Sequence, residues 1–133
     1  MKYLCLIYDN EQTMAGMSKA DGDAFMNDYF TFTDDIKKSG HYRAGEALQP
    51  IKTATSVRVR NGKLSTTDGP FAETKEQLGG FYMIDAKDLN EAIQIAAKIP
   101  PARVGSIEVR PVRPIRETVA QKADASRQTP AAS

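Results

Sequence analysis

Apolar residues along this chain fall into two kinds of block. In some they occupy consecutive positions, and in others they recur every three or four. Lys2 to Tyr8 (KYLCLIY) is of the first kind. It reads as a strand that is apolar on both faces, so both faces need cover. Asp9-Asn10-Glu11 ends it, and a polar stretch with Met14 and Met17 leads to a helix start at Ser18. Asp21 stands three residues on, at capping-box spacing. Phe25, Tyr29, Phe32 and Ile36 then lie on one helical face. Lys37-Lys38 suit the last turn of that helix and Gly40 its end. His41 to Gln49 reads as extended and stops at Pro50. Thr55 to Arg60 alternates polar and apolar, Asn61-Gly62 signals a two-residue hairpin, and Lys63 to Thr67 returns. Gly79-Gly80 opens another strand, Phe81 to Ile84. Asp88 with Glu91 caps a second helix, whose stripe is predicted to be Leu89, Ala92, Ile93, Ala96 and Ala97. Pro100-Pro101 stops it, and Ser106 to Arg110 is the last strand.

The order is thus β, α, β, hairpin, β, α, β. It predicts a ferredoxin-like α+β sandwich with an antiparallel sheet over residues 1–115. Residues 116–133 hold no aromatic residue and read as a disordered or extended tail. Two helices of this length cover one face of the sheet. An apolar second face calls for another subunit, so a homodimer is expected.

Composition narrows the partners. The chain has 133 residues, enough for one domain. Net charge is +1, from 18 basic and 17 acidic residues, which gives no general attraction to nucleic acid or an anionic membrane. Arg58, Arg60, Arg110 and Arg113 alternate out of strands without interleaved aromatics, so no base-stacking stripe is present. No apolar run reaches the ~20 residues that span a bilayer, and the N-terminus lacks the order of a signal peptide. A cytoplasmic protein is expected. Cys5, in an apolar strand, reads as a small buried hydrophobe. Without a cysteine pair or a second histidine no metal is expected, and the glycines form neither a P-loop nor a Rossmann fingerprint, so no cofactor is expected.

One candidate for chemistry emerges from strand register. A two-residue turn at Asn61-Gly62 sets Val59 against Leu64 and Val57 against Thr66, and extends to Thr55 against Asp68. Asp68 then lies on the apolar side of its hairpin. Desolvation there would raise its pKa, as a general acid or base requires. In the other reading, Asp68-Gly69-Pro70 is a turn whose carboxylate accepts local backbone N–H groups, which would lower the pKa. Arg43 and Lys75 are candidates to steer an anionic ligand toward Asp68. Tyr8 and Tyr82 offer hydroxyls to a ligand, and His41, the single histidine, follows Gly40 at the helix exit.

The run Asp68-Gly69-Pro70-Phe71-Ala72-Glu73-Thr74-Lys75-Glu76-Gln77-Leu78-Gly79-Gly80-Phe81 closely resembles the signature of the YCII-related proteins, specifically the DGPF subgroup. Gly45-Glu46-Ala47-Leu48-Gln49-Pro50 is similar to the family's Gly-Glu-x-Leu-x-Pro segment, and Thr55 to Arg60 and Gly105 to Pro111 also fit. The resemblance covers roughly residues 1 to 115. It implies a dimeric ferredoxin-like fold, the α+β barrel arrangement. It also implies binding of a small organic molecule near Asp68, with lyase-, isomerase- or dehalogenase-like acid–base chemistry. For some DGPF proteins it implies instead a regulatory role linked to extracytoplasmic-function sigma factors. Shorter relatives pair the motif aspartate with a histidine in the first helix. Here Ala20 to Ser39 contains none, and His41 lies past that helix.

Overall fold

Six strands and three helices form over residues 1–116, the part of the chain that the computed structural model describes. The expected tail lies, from residue 117 on, outside the described residues. The strands are β1 (Lys2–Asp9), β2 (Tyr42–Ala47), β3 (Thr55–Arg60), β4 (Lys63–Asp68), β5 (Gln77–Asp85) and β6 (Ser106–Pro111). The helices are α1 (Glu11–Ala15), α2 (Lys19–Lys38) and α3 (Leu89–Ala96). Both expected caps form. Ser18 Oγ accepts from the Asp21 N–H at 3.1 Å, and Asp88 Oδ1 from the Glu91 N–H at 2.8 Å. Helix α1 carries no apolar periodicity and was not expected. Its start is held by Asn10 Oδ1, which accepts from the N–H groups of Gln12 and Thr13.

The main sheet is antiparallel with strand order β2-β5-β1-β6. With α2 after β1 and α3 after β5, both on one face, this is the ferredoxin-like α+β sandwich. Tyr3, Cys5, Ile7, Tyr82 and Ile84 turn to the helices and pack with Phe32, Ile36, Ala92, Ile95, Ala96 and Ile99. Burial pushes the Cys5 thiol up to about 11, so it serves as a core hydrophobe and not as a nucleophile. The stripe of α3 differs from expectation: Ala92, Ile95, Ala96 and Ile99 are buried, while Leu89, Ile93 and Ala97 are exposed. Both sets have helical spacing. The buried one wins because it continues past the helix through Ile99 into the fully buried Pro100-Pro101.

The opposite face carries Leu4, Leu6, Tyr8, Leu78, Phe81 and Met83, paired across β1 and β5. No element of the described residues covers it. The hairpin β3–β4 forms a separate two-stranded sheet with the expected register, Thr55 against Asp68 through Arg60 against Lys63. Asn61 and Gly62 both have positive φ, 52° and 74°, as a type I′ turn requires. Its apolar side, Val57, Val59 and Leu64, is 59–71% exposed.

Candidate functional site

The segment that follows the hairpin is fastened to the domain by a chain of polar contacts. Gly69 has φ +98°, a left-handed value that suits glycine. Its N–H donates to the Ala54 carbonyl at 2.7 Å, and Ser56 Oγ donates to its carbonyl at 2.8 Å. Further on, Asn10 Nδ2 donates to the Lys75 carbonyl, and the Glu11 N–H donates to Gln77 Oε1 at 3.0 Å. Glu11 Oε2 in turn accepts from the Ile51 N–H at 2.9 Å, at the start of a 3-10 turn over Ile51–Thr53. The start of α1 therefore holds two loops together, one from each side.

Between those loops lies a cavity of about 590 Å³. Leu48, Pro50 and Ile51 wall one side, Pro70, Phe71 and Leu78 the other, and Tyr8 reaches it from the open face of the sheet. Most polar side chains around it are occupied locally. Thr53 Oγ1 donates to the Pro50 carbonyl, Thr74 Oγ1 to the Glu76 carbonyl, and Gln77 Nε2 to the Thr74 carbonyl. Among the described residues the Tyr8 hydroxyl has no hydrogen-bond partner. The cavity is thus an apolar slot with one free phenol, suited to an apolar or ring-shaped molecule.

Asp68 does not line this slot. Its register is as expected, but the hairpin stands off the main sheet, and all of β4 is exposed. The desolvation implied by the alternation is therefore missing from the chain taken by itself. The carboxylate also accepts no hydrogen bond among the described residues, so the turn reading fares no better. Lys75 is exposed on the same segment. Arg43 lies elsewhere: its guanidinium donates to the Gly40 and Tyr42 carbonyls and pairs with Asp85 at 3.2 Å. Asp85 sits at the far end of β5 from Gln77, roughly 25 Å away along the strand. The N-terminal ammonium, bonded to it at 2.8 Å, and Arg43 hold the Asp85 carboxyl below its ordinary range. Arg43 and Lys75 are not brought together to steer an anion.

His41 joins two helices. Ser39 Oγ and His41 Nδ1 are 2.7 Å apart, and His41 Nε2 lies 3.2 Å from Glu91 Oε1. The order serine, histidine, carboxylate is that of a nucleophilic relay. However, Ser39 Oγ also donates to the Ile36 carbonyl, and the end of α2 presents carbonyls where an oxyanion needs N–H donors. The chain of bonds ties the end of α2 to the start of α3. Tyr82 is buried on the helix side, with its hydroxyl 2.6 Å from Thr33 Oγ1. The structure thus separates the sequence-derived candidates: Asp68 and Lys75 by the slot, Arg43 at the far strand end, His41 and Tyr82 on the helix side.

The family model of the YCII-related domain matches residues 1–116. The chain belongs to the YCII-related family. An uncharacterized protein of Rhizobium meliloti (strain 1021) is 37% identical to this YCII-related chain over 114 residues, covering 84% of the chain and 92% of that protein. Among solved structures, 5-chloro-2-hydroxyhydroquinone dehydrochlorinase of Burkholderia phenoliruptrix AC1100, in complex with 2,5-dihydroxybenzoquinone, is 13% identical. Its TM-score is 0.49, over 85% of this chain and 94% of that one.

In this YCII-related chain Asp9, which the sequence marks only as the end of a strand, lies in a partly buried setting. Burial, then the neighbouring charges of Glu11 and Glu76, raise its carboxyl above the ordinary value. A carboxyl raised on folding stabilises the fold at pH below its unfolded pKa, and that contribution is lost as pH rises through the folded value. Asp9→Asn is therefore expected to stabilise the protein at neutral pH, by under about 1 kcal/mol. The gain should vanish below the ordinary carboxylate range, as denaturant melts at neutral and acid pH will show. Among the described residues no group of three or more His, Cys, Asp or Glu is arranged to hold a metal ion. No described helix is long and apolar enough to cross a membrane.

Proposed function

We propose that this chain, as a homodimer of the DGPF subgroup, binds a small, apolar or cyclic organic molecule in the slot beneath Pro70-Phe71. The observation that carries this is the cavity of about 590 Å³ walled by the signature run itself. Tyr8 and Leu78 belong both to the slot and to the uncovered face of the sheet. A second copy seated on that face would close the slot from its open side and give the α+β barrel arrangement. Asp68, two residues before Pro70, is the group of the motif able to move a proton at the rim, for a lyase-, isomerase- or dehalogenase-like reaction. A regulatory, non-catalytic role, linked to an extracytoplasmic-function sigma factor, is the second reading. It is favoured by the exposure of Asp68 and by the lack of a second titratable group bonded to it among the described residues.

A metabolite pull-down separates the readings. Wild type should retain an apolar or cyclic compound. Phe71→Ala, at a side chain 82% exposed and so without a role in the core, should weaken retention about tenfold through lost apolar contact. Equal retention by both would remove the slot as the binding site. Asp68→Asn should retain the compound. If it also turns the compound over as fast as wild type, Asp68 is not catalytic; if neither protein turns the compound over, the regulatory reading stands.

A further inference from the structure

A second cavity lies on the opposite face of the sheet, where β2 and β5 set small residues beside Tyr42 and Tyr82. Gly45 pairs with Tyr82, and Ala47 with Gly80. Against this patch α2 sets Met26, Tyr29 and Thr33, and the half-open cavity between them measures about 300 Å³. Neither of two of the glycines tolerates a side chain. A Cβ on Gly45 would lie 2.8 Å from the Tyr82 ring, and one on Gly80 2.7 Å from the Glu46 carbonyl oxygen. The ring of Tyr82 is also held edge-on by Phe32, with centroids 5.1 Å apart.

The protons of the polar groups here can be assigned. Thr33 Oγ1 donates its one proton to the Tyr29 carbonyl at 2.9 Å. The 2.6 Å contact between Thr33 and Tyr82 must then carry the proton of Tyr82. The Tyr82 oxygen is left with lone pairs and no donor among the described residues, so it acts as an acceptor. The Tyr29 hydroxyl has no partner among the described residues. Burial, then Tyr82 and Asp9, push it above its ordinary range, so it keeps its proton and acts as a donor. One donor and one acceptor on apolar walls match a hydroxyl group, which can accept from one and donate to the other. Nearby Glu46 and Asp9 disfavour an anion.

We propose that this cavity is a binding site for an uncharged one-ring alcohol or phenol, its hydroxyl bridging Tyr29 and Tyr82. The site is distinct from the slot at Phe71 and does not depend on it.

The test uses the full chain and phenol as probe, with toluene and benzoate as comparators, read from amide shifts in nuclear magnetic resonance titrations. Phenol should saturate shifts at Gly45, Gly79 and Gly80 at millimolar concentration, as a ligand of so few atoms allows. Tyr82→Phe and Tyr29→Phe should each weaken phenol about fivefold, the worth of one net hydrogen bond, and should not weaken toluene. Benzoate should bind less tightly than phenol. Because the Tyr29 hydroxyl has no internal partner, Tyr29→Phe decides the matter even if Tyr82→Phe fails to fold. The proposal is overturned if phenol gives no saturable shift at these glycines, if its shifts map to Pro50 and Phe71's neighbours instead, if Tyr29→Phe leaves its affinity unchanged, or if benzoate binds more tightly.

Discussion

Gly105→Ala should lower the melting temperature by roughly 10 °C, the largest single-methyl effect expected in this domain. A Cβ there would fall far inside contact distance of the Tyr8 carbonyl oxygen, and 3.0 Å from Asp9 Cα. Both neighbours are backbone of β1, which lies inside the sheet between β5 and β6 and cannot step aside. The next residue, Ser106, pairs with Tyr8 as the first rung of the β1–β6 ladder, so the strain acts where that ladder begins. Overpacking of this kind costs about 3 kcal/mol, and each kcal/mol moves the midpoint of a domain this size by about 3–4 °C. Gly22→Ala is the control. It meets nothing within 4 Å inside α2, and should gain about 0.5–1 kcal/mol from helix propensity. A melt of Gly105→Ala within ~2 °C of wild type would show that β6 can shift without loss.

Leu6→Asp should turn the protein into a folded monomer. Leu6 sits mid-strand on the uncovered face, opposite Phe81 on one side and Glu108 on the other. A carboxylate there costs the isolated chain little, because the side chain is partly exposed. Under a second copy it would be buried without a partner and next to a like charge. Breaking the balance of buried charge costs about 3–5 kcal/mol, which is more than a hundredfold in dimer affinity. Sedimentation at micromolar concentration reads the result. A wild type that sediments as a monomer, or a variant that dimerises as well as wild type, would remove the homodimer and with it the closed slot.

Much of this fold could be read from local chemistry. The caps at Ser18 and Asp88, the turn at Asn61-Gly62 and the doubly apolar strands around Cys5 and Tyr82 each depend on neighbours in sequence. Three features did not yield. Helix α1 is five residues held by an asparagine cap and by contacts to Gln77 and Ile51, which lie far off in the chain. The stripe of α3 had two registers of equal spacing, and the packing of Ile99 and the prolines chose between them. Alternation in the hairpin told which residues share a face with Asp68, but not what covers that face. The cavity at Tyr29 was hidden for a similar reason. Gly45 and Gly80 are 35 positions apart, and only the pairing of β2 with β5 sets their missing side chains next to each other.

The position of Cys5 supplies a built-in clock. It is the single sulfhydryl of the chain, fully buried on β1, an inner strand of the sheet, between Leu4 and Leu6. A thiol reagent can reach it only when the sheet parts from the helices. Under conditions where reclosing outruns labelling, the modification rate is set by the equilibrium population of the opened state. One colorimetric time course per variant therefore reports the opening free energy of the core, without a spectroscopic label and without denaturant.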